Sequence, residues 1–274
     1  MAVLNELMTL ADGKKIPALG MGFWQVPKSE AERVTIEGLE EGYTHIDTAI
    51  AYDNEAEIGK GLKAAQISRE SLFITSKVPA EVKSYDGAAR CIDESLERLG
   101  IDYLDLMLIH APKPWPQMYN PLIGRYLKEN VEVFRAMMKA QEEGKIKSVG
   151  VSNFNVGDLK NIIDNLGVKP AANQIRTHIG HADEKTIEFC KENGILVEGY
   201  SPIMTGKLKN NKKVIAVAEK YGVSVAQICI RYDYQIGVLP LPKTTHREYL
   251  IQNKDVDFVI KDEDMEILKA IKTL

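Results

Sequence analysis

Long apolar runs, paired cysteines and an excess of one charge are all missing from this chain. No stretch approaches the roughly eighteen apolar residues that a membrane-spanning helix needs, which argues against a membrane role. A formal charge of −4 on 274 residues is far from the basic footprint of a nucleic-acid binder. The three cysteines, Cys91, Cys190 and Cys229, are scattered and form no C-x-x-C pair. Neither a disulfide framework nor a zinc ribbon is expected, and a reducing cytoplasm suits the chain best. The opening decapeptide carries Glu6 and no basic segment, so no signal peptide is expected. Linkers, low-complexity tracts and composition breaks are absent too. Residues 1–274 therefore read as one domain, with 45% apolar residues to build a large core.

What recurs is a short apolar run followed by an amphipathic, Lys/Glu-rich stretch. The runs are 19–24, 43–48, 72–78, 104–110, 147–152, 171–175, 195–200 and 237–241. Segments such as LDLMLIH and ILVEGY are almost continuously apolar, as parallel strands covered on both faces are. Ser29 with Glu32 reads as a capping box, and Gly42, Gly100, Gly144 and Gly194 stand where helices end. Eight alternating strand–helix units predict an α/β fold, a (β/α)₈ TIM barrel. LADGKKI, before the first unit, predicts a β-hairpin that closes the barrel bottom. Two long connections, 111–128 and 202–211, follow strand ends on the face where barrel enzymes build sites.

Polar residues gather at those strand ends: Asp47 and Thr48, Ser76 and Lys77, His110, Ser152 and Asn153, Asn173 and Gln174, Tyr200 and Ser201, then Lys243 and Thr244. All are expected to point toward one mouth, with Tyr52 leaning over it. A free tyrosine, with a pKa near ~10, is a poor acid at neutral pH. An ammonium beside it lowers that value, and Lys77 can supply one if Asp47 keeps it charged. His110 can hold a carbonyl oxygen against the hydroxyl. Each residue alone has an ordinary reading: half of an ion pair, a core histidine, an amphipathic rim. Together the four suit protonation of an oxyanion as hydride adds to a carbonyl. A metal site at His45, Asp47 and His110 lacks any H-x-H or H-x-x-E-H spacing, so no metal is expected.

A Rossmann fingerprint is absent, because Gly20-Met21-Gly22 lacks a third glycine and a following helix. Side chains would then hold a nicotinamide. Asn153 and Gln174 offer amides, Tyr200 a flat face, and Lys243, Thr244 and the amides near His246 an anion site. Lys207, Lys209, Lys212 and Lys213 can cover a pyrophosphate, although a lysine-rich loop is usually a solvated face.

With these residues on the page, the chain resembles the aldo-keto reductase family. GYTHIDTAIAYDNE (Gly42 to Glu55) is similar to the family's first signature, and LERLGIDYLDLMLIH (Leu96 to His110) to the second. GVSNF (Gly150 to Phe154), GYSP (Gly199 to Pro202) and LPKT (Leu241 to Thr244) are similar to its nicotinamide, stacking and phosphate segments. The resemblance implies Asp47, Tyr52, Lys77 and His110 as a catalytic tetrad, with Tyr52 the acid in reduction and the base in oxidation. It implies carboxamide contacts from Ser152, Asn153 and Gln174, stacking on Tyr200 and a pyrophosphate contact at Ser201. Lys243, Thr244 and Asn253 would meet the adenosine end. Gly22, Trp24, Gly206 and Arg247 complete the expected cofactor set. Trp24, Tyr52, His110, Ala111 and Trp115 would line the substrate pocket.

Three departures stand out. Tyr249 occupies the position where the family often has an arginine, with Arg247 out of register beside it. Ala111 follows His110 in place of a tryptophan that Trp115 can replace. The chain stops soon after its last helix, which predicts an open pocket like that of short bacterial members similar to 2,5-diketo-gluconate and broad aldehyde reductases. The expectation is a cytoplasmic monomer, free of membrane and nucleic acid, that reduces small-molecule carbonyls with NADP(H) preferred and NAD(H) possible. The alternatives are a dedicated keto-sugar reductase and a nicotinamide-binding regulatory subunit without turnover.

Overall fold

The computed structural model describes residues 2–120 and 122–272. A two-stranded hairpin, β1 (Leu7–Thr9) and β2 (Lys15–Pro17), comes first, with Met8 opposite Ile16. Eight parallel strands follow: β3 (Met21–Gly22), β4 (His45–Asp47), β5 (Phe73–Val78), β6 (Leu104–Ile109), β7 (Ile146–Ser152), β8 (Ala172–Arg176), β9 (Leu196–Tyr200) and β10 (Leu239–Leu241). Each pairs with the next in chain order. The amides of Gly20 and Gly22 donate to the carbonyls of Pro240 and Pro242, at 3.2 and 2.9 Å, and bring the first strand against the last. The result is the (β/α)₈ barrel read from the sequence.

Helices α1 (Lys28–Glu40), α2 (Glu55–Ala65), α3 (Tyr85–Leu99), α4 (Leu127–Glu142), α5 (Val156–Leu166) and α6 (Glu184–Asn193) alternate with the strands. Two, α7 (Lys212–Tyr221) and α8 (Val225–Gln235), separate β9 from β10, and α9 (Arg247–Lys254) and α10 (Asp262–Lys269) close the described chain. Every second strand residue faces the helices, and these aliphatics (Ile46, Ile74, Met107, Ile109, Val149, Val151) form the outer core. The opposite set fills the barrel. At its lower end Leu10 and Ile16 of the hairpin pack with Phe73, Leu106, Leu108, Ala172 and Leu239. Asp12 accepts from Ser148 Oγ at 2.8 Å and fastens the hairpin tip to β7.

The expected capping box at Ser29 does not form. α1 begins two residues earlier than that box requires, at Lys28 after an N-cap Pro27 that makes no side-chain capping bond. Its other end agrees with the sequence: Gly42, at φ +91°, makes a turn that a side chain would strain.

Candidate active site

Strand alternation decides which of the polar strand-end residues enter the barrel. Asp47 of β4, Lys77 of β5, Gln174 of β8 and Glu198 of β9 do so. Three residues expected at the mouth turn outward instead, because each neighbours an inward residue on its strand or loop. Ser76 Oγ donates to Glu55 Oε1 at 2.6 Å. Asn173 Nδ2 donates to the Phe154 carbonyl at 2.9 Å. Thr48 Oγ1 donates to Asn54 Oδ1 at 2.9 Å, and Asn54 holds the Phe23 carbonyl at 3.0 Å, just ahead of Trp24.

The Lys77 side chain is fully buried. Its Nζ donates to both oxygens of Asp47, at 2.8 and 2.9 Å, and to the Thr48 carbonyl at 2.7 Å. Burial alone would strip the proton from this amine, but the adjacent Asp47 carboxylate more than offsets it and holds the pKa above the ordinary lysine value. The ammonium lies 5.2 Å from the centre of the Tyr52 ring. Tyr52 sits on a single 3₁₀ turn, Ile50–Tyr52, that leads into α2. Its ring meets His110 edge-on at 5.5 Å, and His110 meets Trp115 edge-on at 5.3 Å. Tyr52, Lys77, Asp47 and His110 therefore share one mouth.

The electrostatics differ from the expectation at one point. Lys77 does pull the Tyr52 pKa down, yet burial outweighs it and the hydroxyl ends above the usual phenol range. Tyr52 thus keeps its proton at neutral pH and is available as a donor. His110 is pushed down to about 3, first by burial and then by Lys77, so its ring is neutral. Its Nδ1 is buried with no hydrogen-bond partner among the described residues.

Ser152, Asn153 and Gln174 meet at the ends of β7 and β8. Ser152 Oγ and the Asn153 amide both donate to the Gln174 carbonyl, at 2.8 and 2.9 Å. Tyr200 donates to Asn153 Oδ1 at 2.8 Å, so the flat ring and the amide are already coupled. Asn153 and Ser201 hold φ near +60° (61° and 58°), and Met204 and Thr205, beside Gly206 on the following turn, hold 53° and 50°. Strained conformations gathered at strand ends mark loops built for contact rather than economy. Ser152 Oγ, Asn153 Nδ2 and Gln174 Nε2 already donate within the protein, to the Gln174 carbonyl, the His110 carbonyl at 2.9 Å and Asp47 Oδ1 at 2.8 Å. A nicotinamide carboxamide would exchange with these bonds, while the Tyr200 ring offers the stacking face.

At the far end, Lys243 is exposed, Thr244 is buried, and Thr244 Oγ1 accepts the His246 amide at 3.1 Å. Asn253 is buried within α9. Arg247, expected among the cofactor contacts, points elsewhere: it pairs with Glu40 and Glu41 of the α1 terminus at 2.7 and 2.8 Å. Arg247 and Glu40 are about half exposed, so these pairs orient the guanidinium with only modest strength. Tyr249 is exposed, with Lys209 over its ring at 5.0 Å and His246 at its edge. Gly22 serves barrel closure through its backbone. Trp24 and Trp115 remain 44% and 37% exposed, and Ala111, next after His110, is buried.

Two features were missed. Lys83 donates to the Ala111 carbonyl at 2.9 Å and to Asn130 Oδ1 at 2.8 Å, while Asn130 donates to the Pro112 carbonyl at 2.9 Å. This clamp fixes the two residues after His110, and only the long, lysine-bearing loop hinted at it. The other is Glu198, legible only as a lone acid inside ILVEGY.

The sequence profile of the Aldo/keto reductase family matches residues 16–273. An aldo-keto reductase of Mycolicibacterium smegmatis is 35% identical over 271 residues, covering 98% of this chain and 94% of that one. A glyoxal reductase of Bacillus subtilis is 37% identical, with 98% and 93% covered. Among solved structures, an aldo/keto reductase from Brucella melitensis superposes with a TM-score of 0.89 at 35% identity, covering 98% of both chains. A Bombyx mori aldo-keto reductase in complex with NADP gives 0.86 at 31%, with 96% and 92% covered. Fold and site define a nicotinamide-dependent oxidoreductase. The chain belongs to the aldo/keto reductase family.

Proposed function

We propose that the protein reduces aldehydes and ketones to alcohols, preferring NADP(H) and able to use NAD(H), with Tyr52 as general acid. The observation that carries this reading is the buried Lys77 ammonium, locked on Asp47 and set 5.2 Å from the Tyr52 ring. The bound nicotinamide supplies the hydride. Neutral His110 donates to the substrate oxygen and orients it. As the carbonyl carbon accepts the hydride, the oxygen takes the Tyr52 proton, and the phenolate left behind is stabilised by Lys77 until solvent returns a proton. In the reverse direction Tyr52 is the base. Ser152, Asn153, Gln174 and Tyr200 would hold the nicotinamide, and Ser201, Gly206, Lys243, Thr244 and Asn253 the phosphates and adenosine.

Exposed Trp24 and Trp115 support a broad substrate range. The relative that is a glyoxal reductase supports adding small dicarbonyls to it. Lys113 and Arg125 line a cavity of about 260 Å³ with Asn153, where they could have suited a keto-sugar acid. Both are occupied, Lys113 by the Ile123 carbonyl at 2.8 Å and Arg125 by Asp158, so the generalist reading stands ahead. An intact tetrad speaks against a regulatory subunit. We read the protein as a cytoplasmic monomer, since its three free cysteines suit a reducing compartment.

The test is oxidation of NADPH and, separately, NADH by purified protein with aldehydes, ketones, glyoxal and keto-sugars. Turnover across several classes with NADPH supports the reading. Turnover confined to keto-sugars, or cofactor binding without turnover, replaces it with one of the alternatives.

A further inference from the structure

Beneath the catalytic pair lies a second set of buried polar groups that the mechanism above leaves unused. Glu198 and His45 are both fully buried, with Glu198 Oε1 3.8 Å from His45 Nε2. His45 Nε2 also lies 3.2 Å from Thr75 Oγ1. Among the described residues Glu198 Oε1 has no hydrogen-bond partner, and the His45 ring lies against the Pro17 backbone. The Gln174 amide joins this pair to the site, because its Nε2 reaches Asp47 Oδ1 at 2.8 Å and Glu198 Oε2 at 3.3 Å.

We propose that Glu198 is a positioning residue that works in its protonated form beneath the Asp47–Lys77 pair. Charge matching comes first. Lys77 is the cation in this part of the barrel, and Asp47 already matches it with both oxygens. An ionised Glu198 would be a second buried anion with one oxygen bare, a state that burial makes very costly. A protonated His45 is the other route to balance, but 3.8 Å is long for a charge-assisted bond, and burial with Lys77 nearby drives the ring pKa down to about 3. The proton therefore stays on the carboxyl, whose pKa burial raises to about 8.

The groups facing Glu198 are His45 and Asp47 from β4, Lys77 from β5 and Gln174 from β8; Leu239 of β10 pairs beside it. Another buried acid, Asp233, lies behind Gly199 on the helix side of β9. With Glu198 neutral, Gln174 keeps its stronger bond for Asp47, and Asp47 holds Lys77 alone. Loss of the proton gives Gln174 a competing anion. It also adds negative charge next to Lys77 and raises the proton affinity of Tyr52, so Tyr52 becomes a weaker acid.

The kinetic half of this proposal rests on the hydride-transfer reading; the protonation half does not. The first arm is infrared spectroscopy of the full chain labelled with ¹³C-glutamate, which separates Glu198 from Asp233. A protonated glutamic acid carbonyl band is expected at pH 7, lost as pH rises through about 8 and absent from Glu198→Gln. The second arm is kcat for carbonyl reduction from pH 6 to 10. Wild type is expected to lose about tenfold through an inflection near 8, and Glu198→Gln to lack that inflection. No glutamic acid band at pH 7, or an inflection that persists in Glu198→Gln, overturns the proposal. An absence of wild-type turnover counts against the functional reading alone, and the infrared arm, which needs no substrate, still decides the proton.

Discussion

Tyr52, His110, His45 and Glu198 show how burial sets charge at the scale of single residues. Both histidines are pushed down to about 3, so each stays neutral when folded and would be charged below about 6.5 when unfolded. Their contribution to stability is present above 6.5 and lost as pH falls from there toward 3. Glu198 has the opposite sign. Raised to about 8 from an ordinary 4.5, it contributes stability at low pH that is lost as pH climbs from 4.5 through 8. Glu198→Gln, which cannot ionise, is accordingly expected to be more stable than wild type at pH 9, by a few kcal/mol. That advantage should shrink toward pH 5, as urea unfolding at the two pH values would show. Equal differences at both would mean that Glu198 is not held neutral.

At the scale of elements, α9 and the loop after β6 carry the departures from the family pattern. Because Arg247 is tied to the end of α1, Arg247→Ala is expected to leave the NADPH-to-NADH ratio of kcat/KM unchanged. Lys243→Ala should lower it about tenfold, since one charged contact with a phosphate is worth roughly 1–3 kcal/mol. A large change in the Arg247 variant would show that the guanidinium swings to the cofactor. In the loop, Asn130→Ala removes the bond to the Pro112 carbonyl and leaves Lys83 with one partner fewer. It should raise KM more than it lowers kcat and cost about 1–3 kcal/mol of stability. The sequence made these elements legible because apolar runs alternate with amphipathic stretches, and eight such units admit few topologies. It showed less at their edges. β3 shrinks to Met21–Gly22 within the run 19–24, and α1 starts ahead of Ser29. Side-chain direction was the harder matter: one residue of register separates Lys77, which enters the barrel, from Ser76, which leaves it. The balance at Tyr52 was illegible for a different reason. It depends on burial by residues distant in sequence, and adjacency to Lys77 alone gave the wrong sign.

Taken as a whole molecule, the barrel is closed by contacts that leave no room for a side chain at Gly20 of its seam. A Cβ at Gly20 would lie 2.4 Å from Leu241 Cδ2 and 2.6 Å from His45 Nδ1. Gly20→Ala is expected to cost about 1–3 kcal/mol and to lower Tm by several degrees, because neither neighbour can retreat from a filled interior. An unchanged Tm would mean that the seam is looser than its distances. Closure matters for function, since it sets Asp47 on the second barrel strand against Lys77 on the third and brings Gln174 across to both carboxylates.

The claim that Tyr52 gives the proton is tested most directly by NADPH oxidation with a reactive aldehyde, comparing wild type with Tyr52→Phe, alongside cofactor binding followed by nucleotide fluorescence. Tyr52→Phe removes one oxygen and leaves the ring against His110. It should bind NADPH as wild type does and lose turnover by about a hundredfold or more, the usual worth of a positioned acid. Near-normal turnover in that variant would contradict the mechanism outright.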